Sequence, residues 1–162
     1  MGFIKGFCSV NVSVNIHPEK NLILQGANVL TLFKDGKRYG MTFAWGMATD
    51  IDKLLIMVGG QSVTGHHLNV GDKVGISCLN INQGHIAQHF GDHHSDIFDK
   101  FDIPEIEIVD NVYLIKDATR EMIGEIIDIF HLKDNNEDLM VYIKINKKVN
   151  STRPFLDYAS LK

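Results

Sequence analysis

The segment VLTLFKDGKRYGMTFA, residues 29–44, indicates the fold more clearly than any other part of the sequence. Two largely apolar runs, Val29–Phe33 and Gly40–Ala44, flank the polar stretch Lys34-Asp35-Gly36-Lys37. Asp-Gly between two such runs is a strong hairpin signal, because glycine adopts a positive φ at no steric cost. The segment therefore predicts two antiparallel strands joined by a tight turn.

Strand-like segments continue on both sides of this hairpin, and few segments are helix-like. Turn signals at Val70-Gly71-Asp72 and Asp134-Asn135-Asn136-Glu137 separate some of them. Further strands are predicted at Ser9–Ile16, Leu22–Leu24, Leu54–Val58, Lys73–Leu79, Ile106–Val109, Val112–Ala118, Met122–Phe130 and Leu139–Ile145. Helices are predicted only at Ser62–Asn69, Gly84–Phe90 and Ser95–Phe101. Many short strands with few helices predict a mainly β protein, an antiparallel barrel that leaves few open edges.

The bulk composition is that of an ordinary globular domain. The 162 residues are 44 % apolar and 22 % charged and show no linker or repeat, so we expect a single domain spanning 1–162. A net charge of −4 argues against a nucleic-acid partner held by phosphate contacts. No apolar run approaches the roughly 20 residues needed to span a bilayer, so no membrane partner is expected. The start lacks a signal-peptide layout, and Cys8 and Cys78 form no CxxC motif, so we expect reduced thiols in a cytoplasmic protein.

The hairpin and the residues after it carry a family resemblance. Val29-Leu30-Thr31 and Met41-Thr42-Phe43-Ala44-Trp45 resemble the "L-V-T" and "M-T-x-S-W" stretches of flavin reductases, the flavin reductase-like or flavoredoxin family of FMN-binding split β-barrels. The resemblance implies that Thr31, Thr42, Phe43, Ala44 and Trp45 contact the isoalloxazine of FMN. A flat apolar ring needs burial, and its polar edge needs donors and acceptors. Without the resemblance, the same stretch describes a core strand that ends in an aromatic residue.

A second stretch, Gly59-Gly60-Gln61-Ser62-Val63-Thr64, follows another predicted strand. Family members have "S-x-T-x-x-x-I" here, and both hydroxyl residues hold the FMN phosphate. The resemblance therefore implies phosphate contacts from Ser62 and Thr64. The family often has arginine between them, whereas this sequence has Val63, so the cation must come from elsewhere. Taken alone, Ser-x-Thr is equally a helix cap.

A third stretch resembles the family more loosely. Asn80 follows a predicted strand, and Asp99-Lys100-Phe101 matches the family's "D-K-F". The resemblance implies a ribityl or ring-edge contact from Asn80, and Lys100 is the nearest candidate for the missing phosphate cation, ahead of Lys53 and Lys73. Gly124-Glu125-Ile126 matches a late "G-E-V" strand. The paired prolines usual after the tryptophan stretch are absent.

Six of the eight histidines fall between His66 and His94. His85 and His89 are four residues apart, so a helix would place both on one face, where they could bind a metal. No HExxH or Cys–His ligand spacing occurs, and solvated loop histidines explain the cluster equally well. We expect no metal site.

The resemblance implies an antiparallel six-stranded split barrel with a few short helices, in a homodimer that holds two FMN molecules near the subunit interface. Two activities follow from it. One is an NAD(P)H-dependent flavin or ferric reductase, with NADH or NADPH as donor and FMN as the electron relay. The other is a flavoredoxin-like carrier that exchanges electrons with a redox protein. A metal-binding barrel built on the histidines is the third alternative.

Overall fold

The computed structural model describes residues 26–133 and 137–149. Within these ranges, the strands are β1 (Asn28–Lys34), β2 (Lys37–Phe43), β3 (Gly46–Asp50), β4 (Lys53–Val58), β5 (Lys73–Cys78), β6 (Ile106–Val109), β7 (Val112–Ile115), β8 (Arg120–His131) and β9 (Leu139–Val149). The helices are α1 (Val63–His67) and α2 (Gly84–Asp92), with a short 3-10 helix at Ile81–Gln83. No helix in these ranges is long and apolar enough to cross a bilayer.

Seven strands form one antiparallel sheet in the order β2-β1-β5-β8-β9-β4-β3. The two end strands, β2 and β3, are separated along the chain only by Ala44 and Trp45. In a flat sheet, six steps of about 4.8 Å would put these edges roughly 29 Å apart, whereas a two-residue link spans about 11 Å. The sheet must therefore curl until its edges meet at Ala44 and Trp45. Because β2 and β3 do not pair, the result is a split barrel.

The mainly β, antiparallel architecture with few helices is thus confirmed. The main sheet has seven strands rather than six, because the unpredicted strand β3 adds an edge beside β4. Its sequence, GMATD, is short and mostly exposed, so it lacks the apolar alternation that marks the other strands.

The β1–β2 hairpin has the turn that its sequence predicts. Lys34 pairs with Lys37, and the two residues between them have φ values of 51° at Asp35 and 74° at Gly36. Positive φ at both central positions is the type I′ geometry, whose twist matches that of the strands. A second two-residue turn, Asp110 and Asn111, joins β6 to β7 in the same way.

The barrel interior is one apolar cluster to which nearly every strand contributes alternate residues. Leu30 and Leu32 of β1, Ile76 of β5 and Ile143 of β9 are at most 2 % exposed. The neighbouring positions of β1, Val29 and Thr31, face outward, yet they are also buried because other elements cover them. This two-sided burial explains why β1 is apolar almost throughout rather than alternating.

Two outer elements cover the barrel wall. Helix α2 packs Ile86 and Phe90 against Val29 and Phe101. The β6–β7 hairpin lays Val112 and Leu114 over Ile123 of β8. Gly40 of β2 makes the first contact possible, since a Cβ there would lie 2.6 Å from the Phe90 ring. A larger residue would push α2 away from the barrel.

One predicted helix is wrong. Residues 95–101 form turns, with the amides of Ile97 and Phe98 both donating to the His94 carbonyl. The Ser95 side chain bonds to Gly40, on another strand, instead of capping a helix. The predicted helix at 62–69 shortens to α1. The predicted strands at 9–16 and 22–24 and Cys8 lie outside the described residues, and Cys78 is buried in the barrel core.

Candidate functional site

Several candidate residues meet along the free edge of β2. Because β2 ends the sheet order, one side of this strand has no strand partner among the described residues. The segment that follows α2, residues 93–100, lies along that side. Gly40 N–H donates to Ser95 Oγ, and Ser95 Oγ donates to the Gly40 carbonyl, both at 3.1 Å. The edge is thus closed by side chains rather than by another strand.

Lys100 is the second anchor of the 93–100 segment. Its side chain is 3 % exposed, and its Nζ donates to the carbonyls of Gly40 at 2.7 Å and Phe90 at 2.8 Å. Burial lowers the pKa of this ammonium to about 8, and the nearby Asp96 carboxylate opposes part of that shift. Lys100 therefore links the 93–100 segment to β2 and α2, and it places a positive charge at the Gly40 carbonyl.

The two hydroxyl residues of the Ser-x-Thr stretch lie next to this edge. Ser62 caps α1: its Oγ accepts from Gly65 N–H at 3.1 Å and lies 3.1 Å from Met41 Sδ. Thr64 is 1 % exposed, and among the described residues the one hydrogen-bond partner of its hydroxyl is Ser95 Oγ at 3.5 Å. That distance is at the limit of a hydrogen bond, so a buried hydroxyl is poorly satisfied here.

The glycine loop before Ser62 is fixed by two polar contacts. Gly60 N–H donates to Asp138 Oδ1 at 2.8 Å, and His66 Nε2 lies 2.6 Å from the Gly60 carbonyl. Helix α1 has only five residues, so its dipole contributes little. The groups that could hold an anion here are consequently the hydroxyls and the Lys100 charge, rather than the helix end.

The residues predicted to line the isoalloxazine divide into exposed and buried ones. Ala44 is exposed, and Trp45, at 64 % exposure, stands at the corner where the barrel edges meet, with its carbonyl fixed by Met57 N–H at 2.9 Å. Thr42 is half-buried, and its Oγ1 donates to the Ala87 carbonyl at 2.7 Å. Phe43 belongs to the barrel core. Thr31 lies on the outer wall, where its Oγ1 donates to the Tyr113 carbonyl at 2.5 Å.

Asn80 and the alternative lysines have local partners. The Asn80 side chain caps the 3-10 helix and donates to the Asp117 carbonyl at 2.7 Å. Lys53 pairs with Asp50 and Asp52, whose carboxylates raise its pKa. Lys73 donates to the Asp110 carbonyl. Of the three lysines, Lys100 alone reaches the edge of β2.

Sequence reasoning missed two residues of this cluster, Ser95 and Met41. Both serve through long-range contacts, to Gly40 and to Ser62, that no local pattern reveals. A third residue, Asn28, is fully buried beside Phe43, and its Oδ1 has no hydrogen-bond partner within residues 26–133 and 137–149. The only available signal was a polar residue at the first position of an apolar strand.

The histidines make separate structural contacts. His89 Nε2 lies 2.9 Å from the Lys100 carbonyl, His93 Nδ1 lies 3.0 Å from the His89 carbonyl, and the His93 ring stacks on Phe98. His85 faces Glu105. Across residues 26–133 and 137–149, no group of three or more His, Cys, Asp or Glu side chains is arranged to hold a metal ion.

Comparison with solved structures finds the same fold in several flavoproteins. The NADH:FAD oxidoreductase of Streptomyces globisporus C-1027 superposes with a TM-score of 0.69 at 20 % identity, over 77 % of this chain and 74 % of that one. A flavoredoxin from Methanosarcina acetivorans gives 0.69 at 11 % identity, over 90 % and 78 %. The styrene monooxygenase flavin reductase of Pseudomonas putida S12 gives 0.64 at 15 % identity, over 77 % and 80 %.

A comparison with curated proteins gives no significant match. The family model described as "Flavin reductase like domain" matches residues 21–156. This range includes the hairpin, the Ser-x-Thr stretch and the Asp99-Lys100-Phe101 stretch. Because the match extends over most of the sequence, the chain belongs to the flavin reductase-like domain family.

Proposed function

We propose that this chain binds FMN and acts as an NAD(P)H-dependent flavin reductase. The observation that carries the proposal is the gathering of Ser62, Thr64 and Lys100 around Gly40 and Met41, on the strand that leads to the exposed Ala44 and Trp45. Phosphate-binding groups at one point of β2 and an apolar platform at its end match the two halves of FMN.

The phosphate end fits an anion through its donors. Thr64 has a buried hydroxyl with only a distant partner, and hydrogen bonds to a charged acceptor are stronger than those between neutral groups. The Lys100 ammonium donates to the Gly40 carbonyl. It would therefore act on the phosphate as a nearby positive charge, through the Gly40 peptide and without contacting the phosphate. This arrangement replaces the arginine that the family often has at the position of Val63.

The ring end fits an aromatic group through exposed apolar surface. Trp45 is 64 % exposed, and Met47 beside it is 58 % exposed. Large apolar side chains at one corner of a barrel favour burial against a ligand or a second subunit. We therefore place the isoalloxazine at this corner, in contact with Ala44, Trp45 and the main chain of Thr42 and Phe43. Thr31 and Asn80 would act on it only indirectly.

Bound flavin would supply the hydride- and electron-accepting chemistry. The tasks of the chain would be to fix the phosphate, to orient the ring at the Trp45 corner and to leave one ring face open for a nicotinamide. One solved relative of the fold, the Streptomyces globisporus oxidoreductase, was crystallised with NAD and FAD fragments. That precedent supports NADH or NADPH as the donor here. Free flavin or ferric iron would be the acceptor.

We also propose that the chain forms a homodimer in the cytoplasm, in which each flavin lies near the subunit interface. Trp45 and Met47 would be buried between the two copies. A solution mass twice that of one chain, measured by light scattering, supports this assembly, and a monomer that still binds FMN tightly contradicts it.

A flavoredoxin-like electron carrier is the second candidate. The match to the Methanosarcina acetivorans flavoredoxin covers 90 % of this chain, more than the reductase matches do. A carrier would exchange electrons with a redox protein and would need no pyridine nucleotide.

Flavin titration followed by reduction tests the proposal. We expect FMN fluorescence to be quenched at micromolar protein, and NADH or NADPH to bleach the bound flavin in a steady-state assay. Bleaching only by a redox protein supports the carrier instead. Fluorescence that stays unchanged up to high micromolar protein rules out both.

A further inference from the structure

Ser95 stands among the candidate phosphate ligands although no sequence pattern pointed to it. Its Oγ lies 3.5 Å from Thr64 Oγ1 and 3.1 Å from both polar atoms of the Gly40 backbone. The Ser62 hydroxyl contacts Met41, the residue that follows Gly40 in β2. The hydroxyls of Ser95 and Thr64 therefore lie beside Gly40, and that of Ser62 lies at the neighbouring residue, Met41.

Thr64 supplies an independent sign that a ligand belongs here. Its side chain is 1 % exposed, and within the part of the chain that the structure describes its hydroxyl has a single hydrogen bond, the long one to Ser95. A buried hydroxyl normally has at least one well-formed partner. An acceptor beside Ser95 would give the Thr64 hydroxyl the well-formed hydrogen bond that its contact with Ser95 does not provide.

We propose that Ser95 is a third phosphate-binding hydroxyl, which exchanges its hydrogen bond to the Gly40 carbonyl for one to the FMN phosphate. This inference rests on the proposed function, and it adds a residue and a movable contact to that site.

The exchange moves only the hydroxyl hydrogen of Ser95, so Oγ continues to accept from Gly40 N–H. The Gly40 carbonyl receives both Ser95 Oγ and Lys100 Nζ, so it keeps the lysine bond when the serine hydrogen turns to the phosphate. The 93–100 segment keeps its place in this exchange, because the Arg38–Asp99 ion pair, the His93–Phe98 stack and the buried Lys100 hold it.

Ser95→Ala tests the inference, with Ser95→Thr as the variant that keeps a hydroxyl. The matched control is Ser77→Ala. Ser77 is also buried, its Oγ accepts from Ile115 N–H at 3.0 Å, and it lies on the outer wall of β5 away from Gly40. Dissociation constants for FMN and riboflavin would be measured for each protein by fluorescence quenching, with thermal unfolding as a check on folding.

We expect Ser95→Ala to weaken FMN binding about tenfold, as for the loss of one hydrogen bond to a charged group, and to leave riboflavin binding unchanged. Ser95→Thr and Ser77→Ala should bind FMN like the wild type. Equal weakening of FMN and riboflavin would assign Ser95 to the loop structure alone and overturn the inference. So would an unchanged FMN affinity in Ser95→Ala. Wild-type protein that binds neither flavin would instead refute the proposed function itself.

Discussion

Thr64 and Lys100 illustrate at the scale of single residues how one β-strand edge collects polar groups. A free strand edge exposes N–H and C=O groups that need partners. Here Ser95 and Lys100 supply them at Gly40, and this brings the buried hydroxyl of Thr64 within 3.5 Å of Ser95. The groups of the candidate site thus come together because the free edge of β2, where the barrel is split, needs hydrogen-bond partners.

Thr64→Ala is the sharpest single-residue test of the phosphate assignment. The variant leaves a dianion without one donor, so we expect the FMN dissociation constant to rise about tenfold, as 1.4 kcal/mol is a factor of ten. Folding should change by no more than about 1 kcal/mol, because the hydroxyl has only one long contact in the structure. Fluorescence titration and urea unfolding measure the two quantities.

His89→Ala is the companion variant, because it separates the flavin reading from the metal reading. His89 bonds to a backbone carbonyl and does not touch Thr64, so FMN affinity should stay close to that of the wild type. A silent Thr64→Ala together with a metal that elemental analysis finds only in proteins with His89 would move the site to the histidines.

The residues that sequence could assign to the site are those with a local signature. Ser62 and Thr64 stand in a recognisable Ser-x-Thr stretch, and the structure brings both next to β2. The residues next to Ser95 predict that it caps a helix, whereas its actual partner, Gly40, is 55 positions away. Lys100 was found by its motif, but its burial and its two carbonyl bonds follow from tertiary packing.

At the scale of elements, the β6–β7 hairpin is fastened to the barrel by a carboxyl pair. Glu121 of β8 is 5 % exposed and hydrogen-bonds to Glu107 of β6. Burial is the main cause that raises the pKa of Glu121 to about 8, and the bond to Glu107 and its negative charge add to the shift. Near neutral pH Glu121 therefore keeps its proton, and its hydrogen bond to Glu107 joins the hairpin to the barrel.

Glu121→Gln should make stability less dependent on pH between 4.5 and 8. The folded protein binds the extra proton of Glu121 in this window and the unfolded chain does not, so wild-type stability falls as the pH rises. Glutamine keeps a donor and has no proton to lose. From pH 5 to pH 8 the free energy of unfolding of the variant should rise relative to that of the wild type by at least about 1 kcal/mol. One pKa unit corresponds to about 1.4 kcal/mol.

Urea unfolding at several pH values measures this difference, and Glu125→Gln is the control on the same strand. Glu125 is exposed, so its removal should leave the pH profile as it is. If stability changes with pH in the same way for the wild type and Glu121→Gln, Glu121 does not titrate in this range.

Elements with strong local chemistry were predictable, and those defined by remote partners were not. The β1–β2 hairpin follows from Asp35-Gly36 alone, and the structure has its turn as expected. The turns at 95–101 owe their form to Gly40, which is 55 positions from Ser95. Strand β3 pairs with β4 close by in sequence, but it is short and mostly exposed, so it has no apolar alternation by which it could be recognised.

At the scale of the whole molecule, the split barrel brings buried groups of opposite charge type into one cooperative unit. Glu121 lies on β8 under the β6–β7 hairpin, and Lys100 lies beside β2, which is three positions from β8 in the sheet order. Both are buried where a charge is poorly solvated, and both have a pKa of about 8 for that reason. A single domain of this size usually unfolds as one unit, so both groups affect the same transition.

The two groups together predict a minimum of stability near pH 8. From pH 4.5 to 8 the contribution of Glu121 falls, as worked out above. From pH 8 to 10.5 the unfolded chain keeps the Lys100 proton that the folded protein has released, so the contribution of Lys100 rises with pH. Thermal unfolding across pH 5 to 10.5 should show this dip in the wild type. Lys100→Met should remove the rise on the alkaline side, Glu121→Gln should remove the fall on the acid side, and the double variant should be nearly flat. A wild-type profile that only falls above pH 8, and that Lys100→Met leaves unaltered, would mean that the Lys100 ammonium keeps its ordinary pKa, because the carbonyls of Gly40 and Phe90 fully replace the water it loses.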